Sequence, residues 1–494
     1  MQENTLFPHV KNIVECRSGF EAVTRLISLY RKSLDQINDF FETLQQTDNN
    51  DIANLSYTGS FYPFVGFHIP ASQMNMDARH SYGIAIDPGT YGTTITHPEL
   101  FQKYYMEQID LLIEHHNVPV FVGESDQYIP LPFAEEHLLN GEMHEKIAQM
   151  DVGFALPNLS RVDDQIANNA AWPSNGSLLP LSLFTAERVD YSLHRLHHYT
   201  GTAPQHFQNF ILLTNYQRYI KEFIEYAHEE IEHGLEYSEF VGPGNSIIYN
   251  PHFKKKEAED HQPEHLPQMP AYHLKRPDGE GITFINIGVG PSNAKNITDH
   301  LAVLRPHCWL MVGHCAGLRR SQVLGDYVLA HAYAREDHVL DQDLPLSVPI
   351  PALAEVQVAL QDAVTNITGQ RGRELKTRMR TGTVLTTDNR NWELLSDSMI
   401  HQFKQTRAIA VDMESATIAA NGFRFRVPYG TLLCVSDKPI HGELKLKTSA
   451  SSFYQQRVKQ HLLIGLEAIR LIRENGIMSL HSRKLRGFEE PPFR

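Results

Sequence analysis

The chain has 494 residues and a formal net charge of −14, with 41% hydrophobic and 21% charged residues. These proportions are typical of globular proteins. The length predicts two domains, because one hydrophobic core seldom serves more than about 300 residues. The acidic balance argues against a surface that binds polyanions, so we expect no nucleic-acid partner.

Cysteine usage and hydropathy bear on the compartment. The four cysteines form neither a CxxC pair nor a Cys/His ligand spacing; they are Cys16, Cys308, Cys315 and Cys434. We therefore expect reduced thiols and no metal site. The first residues, MQENTLFPHV, lack the regions of a secretory signal, and no apolar run approaches the roughly 18 residues of a membrane span. These features predict a cytoplasmic protein without a membrane partner.

The first part of the chain predicts a small α+β domain. Apolar residues recur every three or four positions over residues 19–44, which indicates an amphipathic helix, and a second helix is predicted over 98–115. The short apolar runs YPFVGFHI and VPVFVG are typical of strands. The polar stretch NNAAWPSNGS (168–177) ends this pattern, so we place the N-terminal domain at residues 1–178.

Strands and helices alternate over residues 179–494. Buried strands are predicted at the apolar runs FQNFILLTN, ITFINIGVG, CWLMVGHCAG, TGTVLTT, AIAVDM and YGTLLCVS. This alternation predicts an α/β domain with a mostly parallel, mixed sheet covered by helices. Residues 251–281 are rich in proline and charge and offer few apolar groups to bury, so we expect a surface excursion there.

Two glycine-rich turns follow predicted strands. They are GVGPSN (288–293) and GHCAG (313–317), and ligands of open α/β sheets bind beyond the carboxyl ends of the strands. Glycines there let a ligand approach the backbone, and N–H groups at the start of the next helix can hold an anion. Ordinary strand-to-helix turns explain the same residues, so the turns alone leave both interpretations open.

Acidic residues follow the last two predicted strands. AIAV leads into Asp412-Met413-Glu414, and YGTLLCV leads into Ser436-Asp437, with a helical segment between. A strand–helix–strand unit predicts parallel strands, which places Glu414 and Asp437 at one edge of the sheet. One acid can then donate a proton while the other accepts hydrogen bonds from hydroxyls. The alternatives are helix caps or ion pairs, and helix initiation is the role we consider for Asp412.

The chain carries GVGPSN, GHCAG, VDMESA and VSD in this order. It thereby resembles the nucleoside phosphorylase/nucleosidase superfamily, whose members show a glycine-rich turn, a small-residue turn, a V-[DE]-M-E-[SA] segment and a later S-D strand end. The flanking segments GVGPSNAKNITDHL and RVDYSLHRLHHYTGT resemble bacterial members that act on AMP and carry an extra N-terminal domain. The resemblance implies a nucleoside phosphorylase-like fold. It also implies hydrolysis of AMP to adenine and ribose 5-phosphate without a metal or other cofactor.

The resemblance also implies roles for the residues at the matching positions. Asp437 protonates N7 of the purine with help from Ser436, and Met413 and Glu414 face the ribose, Glu414 accepting from the 2′-hydroxyl. The other expected substrate contacts are Trp392, Gly313 and His314. The expected phosphate contacts are Gly290, Ser292, Asn293, Lys295, Arg319 and Arg218. For Trp392 the alternative is a packed core residue, and for Arg319 it is a solvated surface position.

Relatives that hydrolyse nucleosides carry an acid after the first strand of this domain, where this chain has TNYQRY (214–219). The resemblance therefore assigns no partner to the attacking water. It implies a homohexamer and a regulatory N-terminal domain with nucleotide or phosphate effectors, the alternative being a structural appendage. Two other functions stay open: a phosphorylase, which uses phosphate in place of water, and a nucleotide-sensing protein on the same scaffold.

Overall fold

In the computed structural model, the chain folds as two compact units. Unit 1 extends to His194 and includes Arg486–Arg494, and unit 2 is Arg195–Leu485. The stretch 168–177, on which the predicted boundary at 178/179 depends, lies mostly outside the described residues. The structure describes residues 6–48, 51–52, 55, 57, 59–73, 80–134, 141–148, 156–169, 178–254, 256–259, 261, 263, 265–444, 451–480 and 485–494.

Unit 1 is an α+β unit. Its elements are β1 (Lys11–Cys16), α1 (Gly19–Gln46), β2 (Phe61–Ile69), β3 (Gly89–Thr94), α2 (Gln102–His116), β4 (Val120–Tyr128), α3 (Leu131–Ala134), α4 (Gly141–Ala148), β5 (Leu179–Pro180) and the first turns of α5 (Ala186–Thr200). The strands form one sheet in the order β1-β4-β2-β3-β5, which is antiparallel apart from the β3–β5 pair. Both predicted helices and both predicted strands are present.

Helix α1 shows how sequence and packing agree in unit 1. Ser18 Oγ accepts a hydrogen bond from the backbone N–H of Glu21 at 3.2 Å, which satisfies one donor of the first helical turn. The apolar stripe is buried, with Ile37 and Leu44 fully inside a core that also holds Tyr62 of β2. Burial of this stripe, more than helix propensity, stabilises the helix.

Unit 2 is an α/β unit. Its elements are β6 (Phe210–Thr214), α6 (Gln217–His233), β7 (Glu239–Gly242), β8 (Ser246–Tyr249), β9 (Ala271–Lys275), β10 (Ile282–Asn286), α7 (Pro291–Leu301), β11 (Cys308–Gly317), β12 (Tyr327–Glu336), α8 (Ala354–Thr368), α9 (Gly372–Arg378), β13 (Met379–Thr387), α10 (Ser396–Thr406), β14 (Ala410–Asp412), α11 (Ser415–Phe425), β15 (Tyr429–Asp437) and α12 (Ser451–Glu474). All six predicted strands are present, as β6, β10, β11, β13, β14 and β15.

The strands of unit 2 form one mixed sheet in the order β14-β13-β12-β15-β11-β6-β10-β9-β7-β8. Strands β15, β11, β6 and β10 are successive neighbours and run parallel. Strand β14 also pairs with β11, so β14, β13, β12, β15 and β11 close into a ring. The predicted α/β class, with parallel strands in a mixed sheet, is confirmed.

The prediction that β14 and β15 are parallel is wrong. Strand β14 pairs antiparallel with β11, with Val411 opposite Ala316, whereas β15 runs parallel to β11. The parallel partner of β14 is β13, and α10 provides the crossover between those two strands. The error arises because a strand–helix–strand pattern does not distinguish a crossover in an open sheet from a strand that closes a ring.

Residues 251–281, where a surface excursion is predicted, divide into two parts. The described residues from Pro251 to Glu259 are mostly exposed. Ala271–Lys275 instead form β9, which pairs with β10 and β7, and its residues Ala271 and Leu274 are fully buried. The exposed part therefore ends before β9, because a five-residue strand inside a sheet needs few apolar residues and is concealed by the prolines and charges around it.

Candidate active site

The carboxyl ends of four parallel strands lie side by side in unit 2. The register pairs Asn286 of β10 with Thr214 of β6, and Ala316 of β11 with Asp437 of β15. Strand β6 also pairs with β11, which completes the row. Residues that follow these strands therefore share one edge of the sheet, where α/β folds bind their ligands.

Glu414 lies between β14 and α11 and is fully buried at this edge. Its Oε1 accepts a hydrogen bond from the backbone N–H of Gly290 at 2.7 Å, and its Oε2 accepts one from Nδ2 of Asn215 at 2.8 Å. Gly290 belongs to the turn after β10, and Asn215 directly follows β6. Donors from the ends of two parallel strands thus hold the carboxylate.

Opposing effects set the protonation of Glu414. Burial, and then the charge of Asp412, raise the pKa of Glu414 to about 8, while the N–H donors of Gly290 and Asn215 lower it. Because this value is close to neutral pH, a change in hydrogen bonding shifts the carboxyl group between its neutral and ionised forms. Carboxyl groups perturbed in this way are frequent at functional sites.

Asp412 has a different set of partners. Its Oδ1 accepts a hydrogen bond from the hydroxyl of Thr386 at 2.6 Å, and its Oδ2 accepts one from the backbone N–H of Ser415 at 2.9 Å. Thr386 Oγ1 in turn accepts the backbone N–H of Ala416 at 2.9 Å. Asp412 and Thr386 therefore satisfy the first donors of α11, which supports helix initiation as the role of Asp412.

Asp437 and Ser436 end strand β15. The hydroxyl of Ser436 donates to Oδ1 of Asp437 at 2.5 Å, and it lies 3.3 Å from the backbone carbonyl of Cys315 on β11. Ser436 is buried, whereas Asp437 is partly exposed. The Asp437 carboxyl group is thus oriented by a buried hydroxyl at the edge of the sheet.

The charges of Asp412 and Asp437 both act on the Cys315 thiol. Burial, followed by Cys434, Asp412 and Asp437, raises the pKa of Cys315 well above its usual value. A thiol with such a pKa is neutral, which supports packing rather than nucleophilic chemistry for Cys315. The charges of Asp412 and Asp437 both act on this one group, so the ends of β14 and β15 are close together.

The GVGPSN turn leads into the N-terminus of α7, with Gly290 as the cap and Pro291 as the first helical residue. Ser292 is exposed, and Asn293 is half-buried. Lys295 lies further along the helix, where its Nζ is 2.6 Å from Oδ2 of Asp299 and 3.7 Å from Oδ2 of Asp343. Ser292 is therefore accessible at the helix start, where the Gly290 N–H is already occupied by Glu414, and Lys295 is engaged by two carboxylates.

The two arginines expected at the phosphate are both exposed. Nη2 of Arg319 donates to the backbone carbonyl of Arg407 at 2.9 Å, which ties Arg319 to the end of α10. Arg218 lies in the first turn of α6, with its guanidinium 5.8 Å from the ring centroid of Tyr216. Arg218 is three positions along the chain from Asn215, the residue that donates to Glu414.

Trp392 lies in a small core rather than at a polar edge. It is buried, and its ring packs edge-on against Phe403 with 5.4 Å between centroids. The same cluster includes Ala316 and Val411, which belong to β11 and β14. These contacts are those expected if Trp392 is a packed core residue and not a substrate contact.

Gly313 and His314 occupy β11 beside Asn215. A Cβ atom on Gly313 would lie 2.8 Å from Oδ1 of Asn215, so the position leaves no room for a larger residue. The buried His314 ring lies 4.9 Å from the ring of Tyr216 and 5.4 Å from that of Tyr219. Gly313 therefore packs against Asn215, which donates to Glu414. His314 follows it on β11 and contacts two tyrosine rings.

Asn215 is the site residue that sequence analysis missed, because the segment TNYQRY was searched for an acid. The structure shows instead an amide that donates to the buried acid Glu414. The available signal was a polar side chain directly after a buried parallel strand, the position from which ligand contacts come in this type of sheet. Met413, next to Glu414, is half-buried.

No metal centre is evident in the part of the chain that the structure describes, where no group of three or more His, Cys, Asp or Glu side chains is placed to hold an ion. Among the same residues, no helix has both the length and the apolar character that crossing a membrane requires.

Comparison with known proteins decides the family. Over 479 residues the chain is 47% identical to the AMP nucleosidase of Escherichia coli K12, which covers 96% of this chain and 98% of that protein. The chain belongs to the AMP nucleosidase family. Membership confirms the expected family and makes the chain an enzyme of the N-glycosyl hydrolase class.

Family models match both parts of the chain. Residues 21–177 match the bacterial AMP nucleoside phosphorylase N-terminus, and residues 257–470 match the phosphorylase superfamily. A guanosine phosphorylase of Halorubrum lacusprofundi is 24% identical over 168 residues, which are 34% of this chain and 66% of that protein. The solved AMP nucleosidase of Bacteroides thetaiotaomicron VPI-5482 is 30% identical, with a TM-score of 0.42 over 58% of this chain and 98% of its own.

Proposed function

We propose that the enzyme hydrolyses the N-glycosidic bond of AMP to adenine and ribose 5-phosphate. The 47% identity to an AMP nucleosidase over 96% of the chain supports this substrate. The structural observation that carries the proposal is the buried Glu414 carboxylate, held by Gly290 and Asn215 at the carboxyl edge of the sheet. Asp437 ends a parallel strand at the same edge, so a proton donor and a hydroxyl acceptor are available together.

Asp437 acts as the general acid. Adenine is a poor anionic leaving group, so proton transfer from Asp437 to N7 lowers the barrier as the bond between C1′ and N9 breaks. The electron pair of that bond passes into the purine, and the added proton makes the departing adenine neutral. The hydroxyl of Ser436, 2.5 Å from Oδ1 of Asp437, orients the acid for this transfer.

Glu414 acts on the sugar. Its ionised form accepts a hydrogen bond from the 2′-hydroxyl, with Met413 beside the ribose, and its charge stabilises the oxocarbenium-like sugar that forms as the bond lengthens. Water then bonds to C1′ and releases a proton to solvent, which yields ribose 5-phosphate. The positions of Gly313 and His314 next to the Asn215 contact support their assignment to the substrate.

The 5′-phosphate is assigned to the start of α7 and to a nearby arginine. Ser292 and Asn293 offer N–H groups at the helix N-terminus, where the helix dipole favours an anion. Arg218 contributes an exposed guanidinium, which can bind phosphate through two hydrogen bonds. Arg319 and Lys295 are assigned weaker contacts with the phosphate. Arg319 already donates to the carbonyl of Arg407, and Lys295 already pairs with Asp299.

Unit 1 is assigned a regulatory role, with nucleotide or phosphate effectors, in a cytoplasmic homohexamer. The match of residues 21–177 to a family-specific N-terminal model supports a dedicated domain rather than an incidental extension. Rates of AMP hydrolysis with and without added nucleotides or phosphate test the regulation. Light scattering coupled to size exclusion tests the assembly.

Product identification tests the reaction. Purified enzyme is incubated with AMP, with and without inorganic phosphate, and the sugar product is identified by mass spectrometry. We expect ribose 5-phosphate in both cases, because water is the acceptor. Ribose 1,5-bisphosphate formed only with phosphate would show a phosphorylase instead, and no turnover of AMP by folded protein would favour a nucleotide-sensing role.

A further inference from the structure

Asn215 has a defined place at the end of β6. Its Nδ2 lies 2.8 Å from Oε2 of Glu414, across 199 positions of the chain. Helix α6 begins two residues later, at Gln217, so the backbone on both sides of Asn215 belongs to regular structure. An amide in such a position is fixed by its flanking elements, and the Glu414 carboxylate is fixed by the amide.

The other end of the Asn215 side chain is packed without a hydrogen bond. Its Oδ1 is buried and accepts no hydrogen bond from any of the residues that the structure describes. It lies against Gly313, where a Cβ atom would be only 2.8 Å away. A buried acceptor without a donor opposes folding. The Asn215 side chain therefore contributes something other than stability at this point.

The charges around Glu414 show what the amide supplies. Asp412 raises the pKa of Glu414, and no Lys, Arg or His in the described part of the chain forms an ion pair with it. The neighbouring elements carry other titratable groups, among them His314 on β11, Arg218 on α6, Lys295 and Asp299 on α7 and Asp437 on β15, and Lys295 is held by Asp299. Compensation of the Glu414 charge thus comes from N–H donors, chiefly those of Gly290 and Asn215.

We propose that Asn215 is a positioning residue, whose Nδ2 favours the ionised form of the Glu414 carboxyl group and directs it toward the ribose of the substrate. The proposal rests on the proposed function, in which Glu414 accepts the 2′-hydroxyl. It also gives a reason for an amide after β6. An acid there would be a third carboxyl group beside Glu414 and Asp412, and it would oppose the ionisation of Glu414.

The decisive experiment is the pH profile of kcat/KM for AMP in wild type, Asn215→Ala and Asn215→Asp. The acidic limb of the profile follows ionisation of Glu414 in the free enzyme. Loss of the donor should move this limb to higher pH by about one unit in Asn215→Ala, and further in Asn215→Asp. Activity of Asn215→Ala should therefore recover toward the wild-type value at alkaline pH, which a general structural defect would not allow. An unmoved limb in both variants overturns the proposal.

Gly313→Ala provides a matched test of the same contact. Its Cβ should displace the Asn215 side chain and lower kcat/KM by about tenfold in the wild-type background. In the Asn215→Ala background the clash with Oδ1 is absent and only the contact with the flexible Met311 side chain remains, so the same substitution should have a smaller effect. Additive losses in the double variant would contradict the proposed coupling. Circular dichroism of each variant confirms that the comparison is between folded proteins.

A readout that needs no turnover separates this proposal from the proposed function. The pKa of Glu414 is raised in the folded state. The contribution of Glu414 to stability is therefore complete at pH values below the pKa of an unfolded glutamate, and it is lost as the pH rises toward 8. In Asn215→Ala this loss should extend to higher pH, and in Glu414→Gln the contribution of Glu414 should be absent, which leaves only the pH dependence of other groups. If wild type does not hydrolyse AMP but the thermal midpoints show this shift, only the proposed function fails. Identical pH dependence in wild type and Asn215→Ala refutes the role of Asn215.

Discussion

The backbone N–H of Gly290 donates to Oε1 of Glu414 at 2.7 Å, across 124 positions of the chain. This bond connects the turn assigned to the phosphate with the carboxylate assigned to the ribose. Gly290 has a φ of +121°, and a Cβ there would meet nothing within 4 Å. Glycine is therefore required for the backbone conformation that aims the N–H group, and not for space.

Glu414→Gln keeps the size of the side chain and removes its charge. We expect kcat/KM for AMP to fall by about 10²–10³, because the oxocarbenium-like sugar loses its stabilising charge and the 2′-hydroxyl loses its acceptor. With 2′-deoxy-AMP, which lacks that hydroxyl, the decrease should be smaller. Steady-state rates for both substrates measure the difference. An equal decrease for both would contradict the ribose contact.

Asp437→Asn removes the proposed proton donor while preserving shape. Turnover of AMP should fall by about 10²–10⁴, the usual contribution of a positioned general acid. Binding of AMP, measured by calorimetry, should persist because the phosphate and ribose contacts remain. Ser436→Ala is the matched control, and it should cause a smaller loss because the acid remains but is less well oriented. A rate close to wild type in Asp437→Asn would exclude this residue as the acid.

Arg218→Met tests the phosphate site. Hydrogen bonds to a charged group contribute about 1.5–3 kcal/mol, so KM for AMP should rise by about 10- to 100-fold. Hydrolysis of adenosine, which has no phosphate, should be unaffected by the substitution. Arg319→Met serves as the comparison, since its guanidinium is anchored to Arg407. If Arg218→Met slows adenosine and AMP alike, its effect is not on the phosphate.

Much of the fold was predictable because the parallel strands are uninterrupted apolar runs. Strands β6, β11 and β15 are almost entirely buried, as strands covered on both faces must be. Strand β9, with the sequence AYHLK, was missed because a His and a Lys interrupt a short run. The pairing of β14 with β11 was mispredicted because local periodicity carries no information about which distant strand is the partner.

The site was predictable to the extent that its residues are chemically conspicuous. Glu414 and Asp437 are acids at the ends of apolar strands, where ionisable groups are unusual. Asn215 is inconspicuous because asparagine is common in any turn, and only the fold brings its amide to a carboxylate 199 positions away. Lys295 showed the converse, since a basic residue near a glycine turn suggested phosphate while the structure pairs it with Asp299.

Unit 1 contains a buried acid that should give it a pH response. Asp190 is fully buried and accepts hydrogen bonds from the hydroxyls of Tyr62 at 2.5 Å and Thr96 at 2.6 Å. Nε2 of His97 lies 3.4 Å from the same carboxylate. Burial raises the pKa of Asp190 to about 7, although the two hydroxyls lower it. The folded state therefore binds this proton more tightly than the unfolded state.

Asp190→Asn should remove that pH response. An unfolded aspartate has a pKa of about 3.9. The stabilising contribution of Asp190 is therefore complete below that pH and is lost as the pH rises through 7. Hydrogen exchange of the β2 amides in wild type should accelerate beyond its intrinsic increase between pH 5 and 8, and the variant should lack this extra increase. Amides of β6 in unit 2, where Glu414 titrates over the same range, should exchange alike in wild type and Asp190→Asn and serve as the internal control. The same extra increase in both proteins would show that another group titrates.

Asp412→Asn should affect Glu414 in the direction opposite to loss of Asn215. Removal of the Asp412 charge should lower the pKa of Glu414 and move the acidic limb of kcat/KM for AMP to lower pH. The substitution should also destabilise the start of α11 by about 1–2 kcal/mol, because an amide accepts less strongly from Ser415. Thr386→Val separates the two effects, since it disturbs the same helix start and keeps the Asp412 carboxyl group, of which it removes one of several donors. Because the charge of Asp412 acts on the Glu414 carboxyl group, the limb should move to lower pH much further in Asp412→Asn than in Thr386→Val. Equal shifts in both variants would mean that the geometry of the helix start, and not the charge of Asp412, controls the ionisation of Glu414.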